Sequence, residues 1–330
     1  MTQPANRRPH VAIEMLDPEH CKILTHALQN VLSIGLAEIT YAQLIDGLPT
    51  IDTVWEMRGI WAPQGHPLLN HKKLCKDALE RARKFRDEFD PAVLRFDSLV
   101  RTEFPSPIVV PLLLSTDILQ VMQRYQRAAP ASREFKMRLI ELVAAGIHQI
   151  AVILFQSDDK VHSKEHIHIV HSWKREPDWM DTGRREPVLF EYPDPPPTLF
   201  CHWDYINHEQ YPYGLADVAG YWAEDRIIGG ITVFDRGKSG TECNDIYIHS
   251  AREDYTPRVS RLLESQFNDL IEFLLSEQPS ATPLPILPSE ANEPRYDSWD
   301  AMAVHRIFRD PWERTIPSER PESRDVACGD

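Results

Sequence analysis

The spacing of apolar residues predicts that the first 90 residues are mostly helical. Asp17 is a good N-cap, and Pro18 suits the first turn of a helix whose apolar side chains recur every three or four positions. Gly35 is expected to end this helix by adopting a positive φ. The helices predicted in this part of the chain span 17–34, 36–45 and 67–89.

The middle of the chain is expected to mix short strands with helices. Apolar runs at 108–114 and 150–155 are consistent with strands. Between them we predict one helix capped by Ser115 or Thr116 and a second helix capped by Ser132. Helices therefore still dominate this region.

Beyond residue 160 the apolar period falls towards two, which is typical of strands. The strands predicted there cover 166–171, 218–222, 227–234 and 245–249, the middle two forming a hairpin. A closing helix follows, with an apolar stripe between Val259 and Leu274. This order predicts an α+β fold with a helical N-terminal half, an antiparallel β-meander and a closing helix.

The composition changes after Glu277. The last 53 residues contain eight prolines and many charges but few large apolar side chains, so we expect a disordered tail. Apolar residues at helical spacing predict a short docking helix near 298–308. The expected organisation is a flexible N-terminus at 1–14, a single core domain at 15–277 and a tail at 278–330.

The overall composition is that of a globular protein, and it argues against a membrane and against nucleic acid as partners. Of the 330 residues, 42% are hydrophobic and 26% are charged, and no run of about 18 apolar residues predicts a membrane span. The net charge of −14 argues against nucleic-acid binding, which needs a concentrated basic surface. The N-terminus lacks an apolar signal and the five cysteines form no C-x-x-C pair. We therefore expect a cytoplasmic protein without a disulfide framework.

One segment is rich in aromatic residues and prolines. Residues 173–222 hold 11 of the 30 aromatic side chains. Such a segment either packs as a lid on the sheet or forms a wall for a small organic ligand. The candidates for that wall are Trp203, Tyr205, Tyr213 and Trp222.

Polar residues in and after this segment are candidates for general acid–base chemistry, because a histidine beside carboxylates can transfer protons. These candidate catalytic residues are His202, Asp204, Asp217, Glu224, Asp225 and Arg226. For Asp225 and Arg226 a structural role in a turn is the alternative.

Four histidines lie close together between His162 and His171. On a strand, His166 and His168 would project from one face, and Glu165 or Asp204 would complete a set of metal ligands. A surface strand with alternating histidines explains the same pattern. No nucleotide-binding, nucleophile-elbow or zinc-knuckle motif is present, so the sequence indicates no cofactor.

Five motifs carry a resemblance to a known family. They are Y-P-Y-G-L-A-D (211–217), G-Y-W-A-E-D-R-I (220–227), G-G (229–230), F-D-R-G (234–237) and S-G-T-E-C-N-D (239–245). Over about residues 15–277 the chain resembles a widespread family of uncharacterised cytosolic proteins of filamentous fungi. The resemblance implies a fungal cytosolic protein that is accessory to secondary metabolism. It implies no reaction and no catalytic residue.

Three functional hypotheses remain open on the sequence. The first is a small-molecule-binding protein or enzyme with a pocket under 173–222. The second is a regulatory module that binds protein partners through its tail and the basic helix 67–89. Between Lys72 and Arg86 this helix contains seven Lys and Arg residues and only two acidic residues. The third is a metalloprotein with histidine ligands.

Overall fold

The centre of the fold is α6 (Arg133–Gln156), a helix whose side chains are buried on almost every side. Ser132 caps it by accepting a hydrogen bond from the Phe135 N–H at 3.2 Å. The helices packed around it are α1 (Pro18–Leu32), α2 (Gly35–Asp46), α5 (Ile118–Arg127) and α8 (Leu215–Ile228). This computed structural model describes residues 10–57, 65–91, 94–97, 118–130, 132–180, 188–190 and 194–321.

Five further helices lie outside this central group in the described part of the chain. They are α3 (Ile51–Glu56), α4 (Lys76–Asp87), α7 (Lys164–His171), α9 (Glu264–Leu275) and α10 (Ser298–Ala303). Single turns of 3-10 helix lie at Ile13–Met15, Pro67–Asn70 and His208–Gln210. Within the described ranges α6 is the one helix long and apolar enough to cross a membrane, and 72% of its most apolar stretch is buried inside the chain.

A five-stranded antiparallel sheet packs against α8. Its strands are β5 (Ile231–Asp235), β6 (Ile246–His249), β7 (Val259–Arg261), β8 (Arg295–Tyr296) and β9 (Ile307–Phe308). The order across the sheet is β8-β7-β6-β5-β9. Two separate two-stranded ribbons pair β1 (His10–Ala12) with β2 (Arg95–Asp97) and β3 (Asp178–Met180) with β4 (Val188–Phe190). The fold is therefore α+β.

The predicted helix at 17–34 is confirmed as α1. The Asp17 carboxylate caps it by accepting hydrogen bonds at 3.1 Å from the N–H groups of Glu19 and His20. The role predicted for Gly35 is wrong, because Gly35 is the first residue of α2. The positive φ, 92°, belongs to Gly47, which ends α2. The predicted helix at 67–89 is divided into the turn Pro67–Asn70 and α4.

Three predicted strands are wrong because their residues are helical. Residues 150–155 continue α6, 166–171 belong to α7, and 218–222 lie in α8, so no hairpin joins 218–222 to 227–234. A short apolar run has the same pattern in a buried helix as in a buried strand. The strand at 245–249 is confirmed as β6. The strand predicted at 108–114 lies outside the described residues.

The structure corrects the predicted disorder of 278–330 as far as residue 321. This segment supplies β8 and β9, the two edge strands of the sheet, and Ile286 donates its N–H to the Ile228 carbonyl at 2.6 Å. The helix α10 lies where a docking helix was predicted, and its Ala301 is buried in the chain's own core. Few apolar residues suffice here because buried ion pairs anchor the segment, as described below. Residues 322–330 lie outside the described part, and so do 1–9 of the predicted flexible N-terminus.

Gly220 allows α8 to approach α6. A methyl group on Gly220 would lie 2.5 Å from Nε2 of His148, a buried ring, whereas one on Gly35 would meet no atom within 4 Å. We expect Gly220→Ala to lower the free energy of unfolding by about 1–3 kcal/mol, since overpacking outweighs the better helix propensity of alanine. Gly35→Ala is the matched control and should be neutral or stabilising by up to about 1 kcal/mol. Urea unfolding measures both, and equal effects would contradict the prediction.

Candidate metal centre

Four potential metal ligands converge from four separate segments. Asp46 is the last residue of α2, His71 follows the 3-10 turn at Pro67–Asn70, Cys75 is the N-cap of α4, and His162 follows α6. One donor atom from each lies within 4.8 Å of all the others. Carboxylate, imidazole and thiolate are the ligand types that proteins use for zinc.

The distances between these donor atoms fit tetrahedral coordination. Nε2 of His162 lies 3.4 Å from Nε2 of His71 and 3.6 Å from Sγ of Cys75. Oδ2 of Asp46 lies 3.0 Å from Nε2 of His71 and 3.7 Å from Nε2 of His162. Zinc bonds of about 2.0–2.3 Å at tetrahedral angles place nitrogens about 3.3 Å apart and a nitrogen about 3.6 Å from sulfur. Four of the six distances are therefore close to those around a single tetrahedral ion, and the other two, from Sγ of Cys75 to Asp46 and His71, lie within 4.8 Å.

The backbone around the end of α2 positions Asp46 and His162. A helix leaves its last carbonyl groups without partners inside the helix. Here Lys160 donates its ammonium to the Leu44 carbonyl at 2.9 Å, and the His162 N–H donates to the Asp46 carbonyl at 3.0 Å. The chain after α6 is thus fixed on the end of α2, so two ligands that are 116 residues apart in sequence become neighbours.

Hydrogen bonds at the outer nitrogens orient both imidazole rings. Nδ1 of His71 lies 3.0 Å from the Pro49 carbonyl, an interaction that places a proton on Nδ1 and leaves Nε2 free to bind a metal. Nδ1 of His162 lies 3.1 Å from Nδ1 of His166, and donation by His162 leaves its Nε2 free as well. In its neutral form each ring therefore presents an unprotonated nitrogen to the centre.

The buried carboxylate of Asp46 faces the other three groups of the centre. Its side chain is fully buried, and Nε2 of His71, 3.0 Å away, compensates its charge only while the imidazole is protonated. The carboxylate raises the pKa of His71, while burial lowers the pKa of His162. Burial, followed by the Asp46 carboxylate, raises the pKa of the Cys75 thiol to about 11. A dication between these groups would neutralise Asp46 and displace the thiol proton.

Comparison with known proteins adds no assignment to this geometry. The chain matches no protein-family model, no curated protein and no solved structure. The four side chains and the distances between them are therefore the observations on which a function is proposed.

The structure places the predicted histidine pair differently from the sequence expectation. His166 and His168 lie on helix α7, where residues two apart point in different directions, so the predicted shared strand face is wrong. His166 contacts His162, and His168 is exposed. His162 is the one member of the histidine group that belongs to the four-residue centre.

Two of the predicted catalytic residues, His202 and Asp204, form a second cluster with a further histidine, His249. Oδ2 of Asp204 lies 3.5 Å from Nε2 of His249 and 4.0 Å from Nδ1 of His202. Both histidines are fully buried, whereas Asp204 is partly exposed. His249 was not among the predicted residues, because it is far from the pair in sequence and lies at the end of β6.

The predicted candidates Asp217 and Glu224 belong to a buried ionic network. Asp217 lies 3.0 Å from Nε2 of His148, and Glu224 accepts hydrogen bonds from Arg309 at 2.5 Å and from the Thr232 N–H at 2.7 Å. The network joins α6, α8 and β5 to the C-terminal segment. Its members have protein partners, so the network is suited to holding these elements together.

The other two predicted polar candidates, Asp225 and Arg226, are buried near the end of α8. Arg226 pairs with Glu56 and lies over the Trp222 ring, with 5.9 Å from its guanidinium carbon to the ring centre. Burial raises the pKa of the Asp225 carboxyl. The structural role considered for this pair was in a turn, and both residues are instead helical.

The predicted aromatic wall is largely part of the core. Tyr205 and Trp222 are fully buried; Tyr205 lies against Tyr221 with ring centres 4.7 Å apart, and Trp222 lies against Phe200 at 4.8 Å. Trp203 is half-buried at the edge of the same cluster. The backbone N–H of Tyr213, the fourth predicted wall residue, donates to the Asp217 carboxylate at 2.6 Å.

Asp310 makes the stability of the ionic network depend on pH. Its carboxylate lies 3.5 Å from Nε of Arg309, and burial raises its pKa from 3.8 to about 7. Ionising Asp310 therefore destabilises the folded state above pH 7, and this cost disappears as the pH falls through 7 towards 4. We expect Asp310→Asn to have a higher free energy of unfolding than wild type. This difference should be about 2 kcal/mol larger at pH 8 than at pH 5.5. Urea unfolding at the two pH values tests this, and an equal gain at both would contradict it.

Proposed function

We propose that this chain is a zinc-binding protein, and that Asp46, His71, Cys75 and His162 hold the ion. The observation that carries the proposal is the convergence of four donor atoms of suitable type within 4.8 Å of one another, one of them on the fully buried carboxylate of Asp46. A buried carboxylate is strongly unfavourable unless it is paired or binds a metal. A dication would supply the countercharge that His71 provides only when its ring is protonated.

The chemistry of the four ligands favours zinc over other common ions. Calcium and magnesium prefer six or more oxygen ligands, whereas this centre offers one oxygen, two nitrogens and one sulfur. Zinc accepts this mixture and has no preferred geometry that would oppose a tetrahedron. The donor set therefore favours zinc, with cobalt as a spectroscopic substitute.

The number of protein ligands indicates a structural role. Four protein ligands fill a tetrahedral site, while catalytic zinc sites keep one position for water. The ion would join the end of α2, the start of α4 and the chain after α6. Because these segments are distant in sequence, binding of the ion would stabilise the tertiary fold directly.

The pocket predicted under 173–222 stays a prediction. An open groove of about 610 Å³ lies in this region and is lined by Pro195, Pro197, Ile206 and the turn His208–Gln210. None of the predicted catalytic residues is among its described lining residues. A small organic ligand, the fungal family, the secondary-metabolism role and the cytoplasmic location stay predictions in the same way.

The alternative role as an interaction module loses part of its basis. Arg83 and Arg86 of α4 pair with Glu38 at 2.9 and 3.0 Å, and Arg81 pairs with Asp159 at 3.0 Å. Much of the predicted basic surface is thus neutralised within the chain. The predicted partner-binding tail is folded onto the core as far as residue 321. Binding of a protein partner through either segment stays a prediction.

Cobalt substitution tests the proposed centre. Metal-free protein loaded with one equivalent of Co²⁺ should show the intense charge-transfer absorption of a cobalt–thiolate bond and the visible bands of tetrahedral cobalt. Cys75→Ser should abolish the charge-transfer band. Cys21→Ser, which alters a half-buried cysteine on α1, should leave the spectrum unchanged. A wild-type spectrum without a thiolate band would overturn the proposal.

A further inference from the structure

The second cluster, His202, Asp204 and His249, has the donor types of a metal site without sulfur. His202 and Asp204 lie in one turn, closed by a hydrogen bond from the Tyr205 N–H to the His202 carbonyl at 2.8 Å. His249 is the last residue of β6. One donor atom from each of the three residues lies within 4.8 Å of the other two.

The outer nitrogens of both histidines are held by hydrogen bonds, as in metal-binding histidines generally. Nε2 of His202 lies 3.2 Å from the His249 carbonyl and must donate to it, which leaves Nδ1 unprotonated on the side of Asp204. Nδ1 of His249 lies 3.2 Å from the Tyr205 hydroxyl. When Nδ1 donates to that hydroxyl, Nε2 is free and faces Asp204.

Two interactions of similar length compete for the inner nitrogens when no metal is bound. The Pro257 carbonyl lies 3.2 Å from Nε2 of His249, and the Asp204 N–H lies 3.3 Å from Nδ1 of His202. The first requires the other tautomer of His249. Because a histidine exchanges its ring proton readily, a bound cation would select the tautomer with Nε2 unprotonated.

Asp204 is the residue able to complete the site. Its Oδ2 lies 3.5 Å from Nε2 of His249 and 4.0 Å from Nδ1 of His202. Ligand atoms around an ion with bonds of about 2.1 Å are expected about 3.0–3.4 Å apart. The required movement is small, and no hydrogen bond holds this carboxylate within the described part of the chain. Its side chain is 39% exposed, whereas both imidazoles are fully buried. The open side of the cluster therefore faces solvent through Asp204.

We propose that His202, Asp204 and His249 form a second site, which binds a divalent first-row transition metal through two imidazoles and one carboxylate. Three protein ligands on one side leave coordination positions for water or a small ligand. This second site thus differs from the proposed zinc centre in two ways: it lacks sulfur and it is open. Of the two, it is the site at which an external molecule would reach the ion.

Counting Co²⁺ ions in untagged, full-length protein tests this second site. After removal of all metal, each protein is dialysed against a fixed concentration of free Co²⁺ and analysed for bound cobalt and for the thiolate band. The variants are Asp204→Ala, His71→Ala and, as a matched control, Asp194→Ala, which removes an 83% exposed carboxylate ten residues earlier.

The predicted result is two ions in wild type and in Asp194→Ala. Asp204→Ala should bind one ion and keep the thiolate band, with at least about 100-fold weaker affinity at the second site. His71→Ala should bind one ion and lose the band. A single ion with the thiolate band in wild type, or two ions in Asp204→Ala, would overturn the second site. A single ion with the thiolate band would leave the zinc proposal standing, whereas a single ion without the band would overturn the zinc proposal instead.

Discussion

Removal of zinc by a chelator is expected to lower the free energy of unfolding by about 4 kcal/mol. The reference state is the same protein in free zinc at a concentration about 1,000 times the dissociation constant of the centre. The physical reason is that the unfolded chain keeps Asp46 and His162 far from the pair His71 and Cys75, so it binds the ion much more weakly than the folded chain does. For a chain of this size the corresponding fall in melting temperature is about 10 °C. Thermal and urea unfolding with and without zinc measure the effect.

Two alanine variants separate this effect from nonspecific binding. His71→Ala removes one of the four ligands and should lose most of the zinc-dependent gain in stability. His168→Ala removes an exposed histidine of α7 that lies outside the centre, and its response to zinc should equal that of wild type. If both variants respond to zinc as wild type does, the proposed centre is wrong.

Arg309→Met is expected to cost about 3–5 kcal/mol of stability. The side chain donates to Glu224 at 2.5 Å and lies over the ring of Tyr221, with 5.0 Å from its guanidinium carbon to the ring centre. Removal of the guanidinium leaves the fully buried Glu224 carboxylate without its countercharge, and an unpaired buried charge is far more costly than the loss of a surface pair. Urea unfolding measures the loss, and release of the C-terminal segment should accompany it.

Two controls accompany Arg309→Met. One makes the same substitution at an exposed arginine, and the other removes both charges of the buried pair. Arg258→Met breaks an exposed ion pair with Asp297, 3.3 Å apart, and should cost less than about 1 kcal/mol. The double variant Glu224→Gln, Arg309→Met removes both charges and should recover part of the loss. An equal cost for Arg309→Met and Arg258→Met would show that the buried pair does not anchor the segment.

Helix starts were predictable wherever local chemistry determines them. Asp17 and Ser132 both cap the helices predicted for them, because a side-chain oxygen meets unpaired N–H groups within three residues. The apolar runs at 150–155 and 218–222 were assigned to strands because their helices are buried on every side and lack a polar face. For such segments only tertiary packing distinguishes the two structures.

The order of the C-terminal segment was not predictable from composition. A low content of apolar residues predicts disorder when burial of apolar surface is the main driving force. Here Arg309 and Glu313 are buried instead, with Glu313 accepting from the Arg309 N–H at 2.9 Å. The carboxylate that pairs with Arg309 is Glu224, 85 residues earlier in the chain, so no local pattern marks Arg309 as a core residue.

Only two of the four ligands of the proposed zinc centre lie close together in the sequence. His71 and Cys75 are separated by three residues, a spacing compatible with two ligands of one ion. This spacing matches neither a C-x-x-C nor an H-x-H pattern. Asp46 and His162 cannot be assigned to the pair from the sequence, because only the folding of 160–162 onto the end of α2 brings them to it. In contrast, the sequence predicts a role for His202 and Asp204, as a histidine and a carboxylate suited to acid–base chemistry in the aromatic-rich segment.

X-ray absorption at the zinc edge, on protein loaded with one equivalent of zinc, tests the central claim most directly. A centre formed by Asp46, His71, Cys75 and His162 predicts four-coordinate zinc with one sulfur at about 2.3 Å and three nitrogen or oxygen ligands at about 2.0–2.1 Å. The spectrum should also contain the outer-shell scattering of two imidazole rings. Zinc surrounded by six light atoms, with no sulfur, would contradict the account.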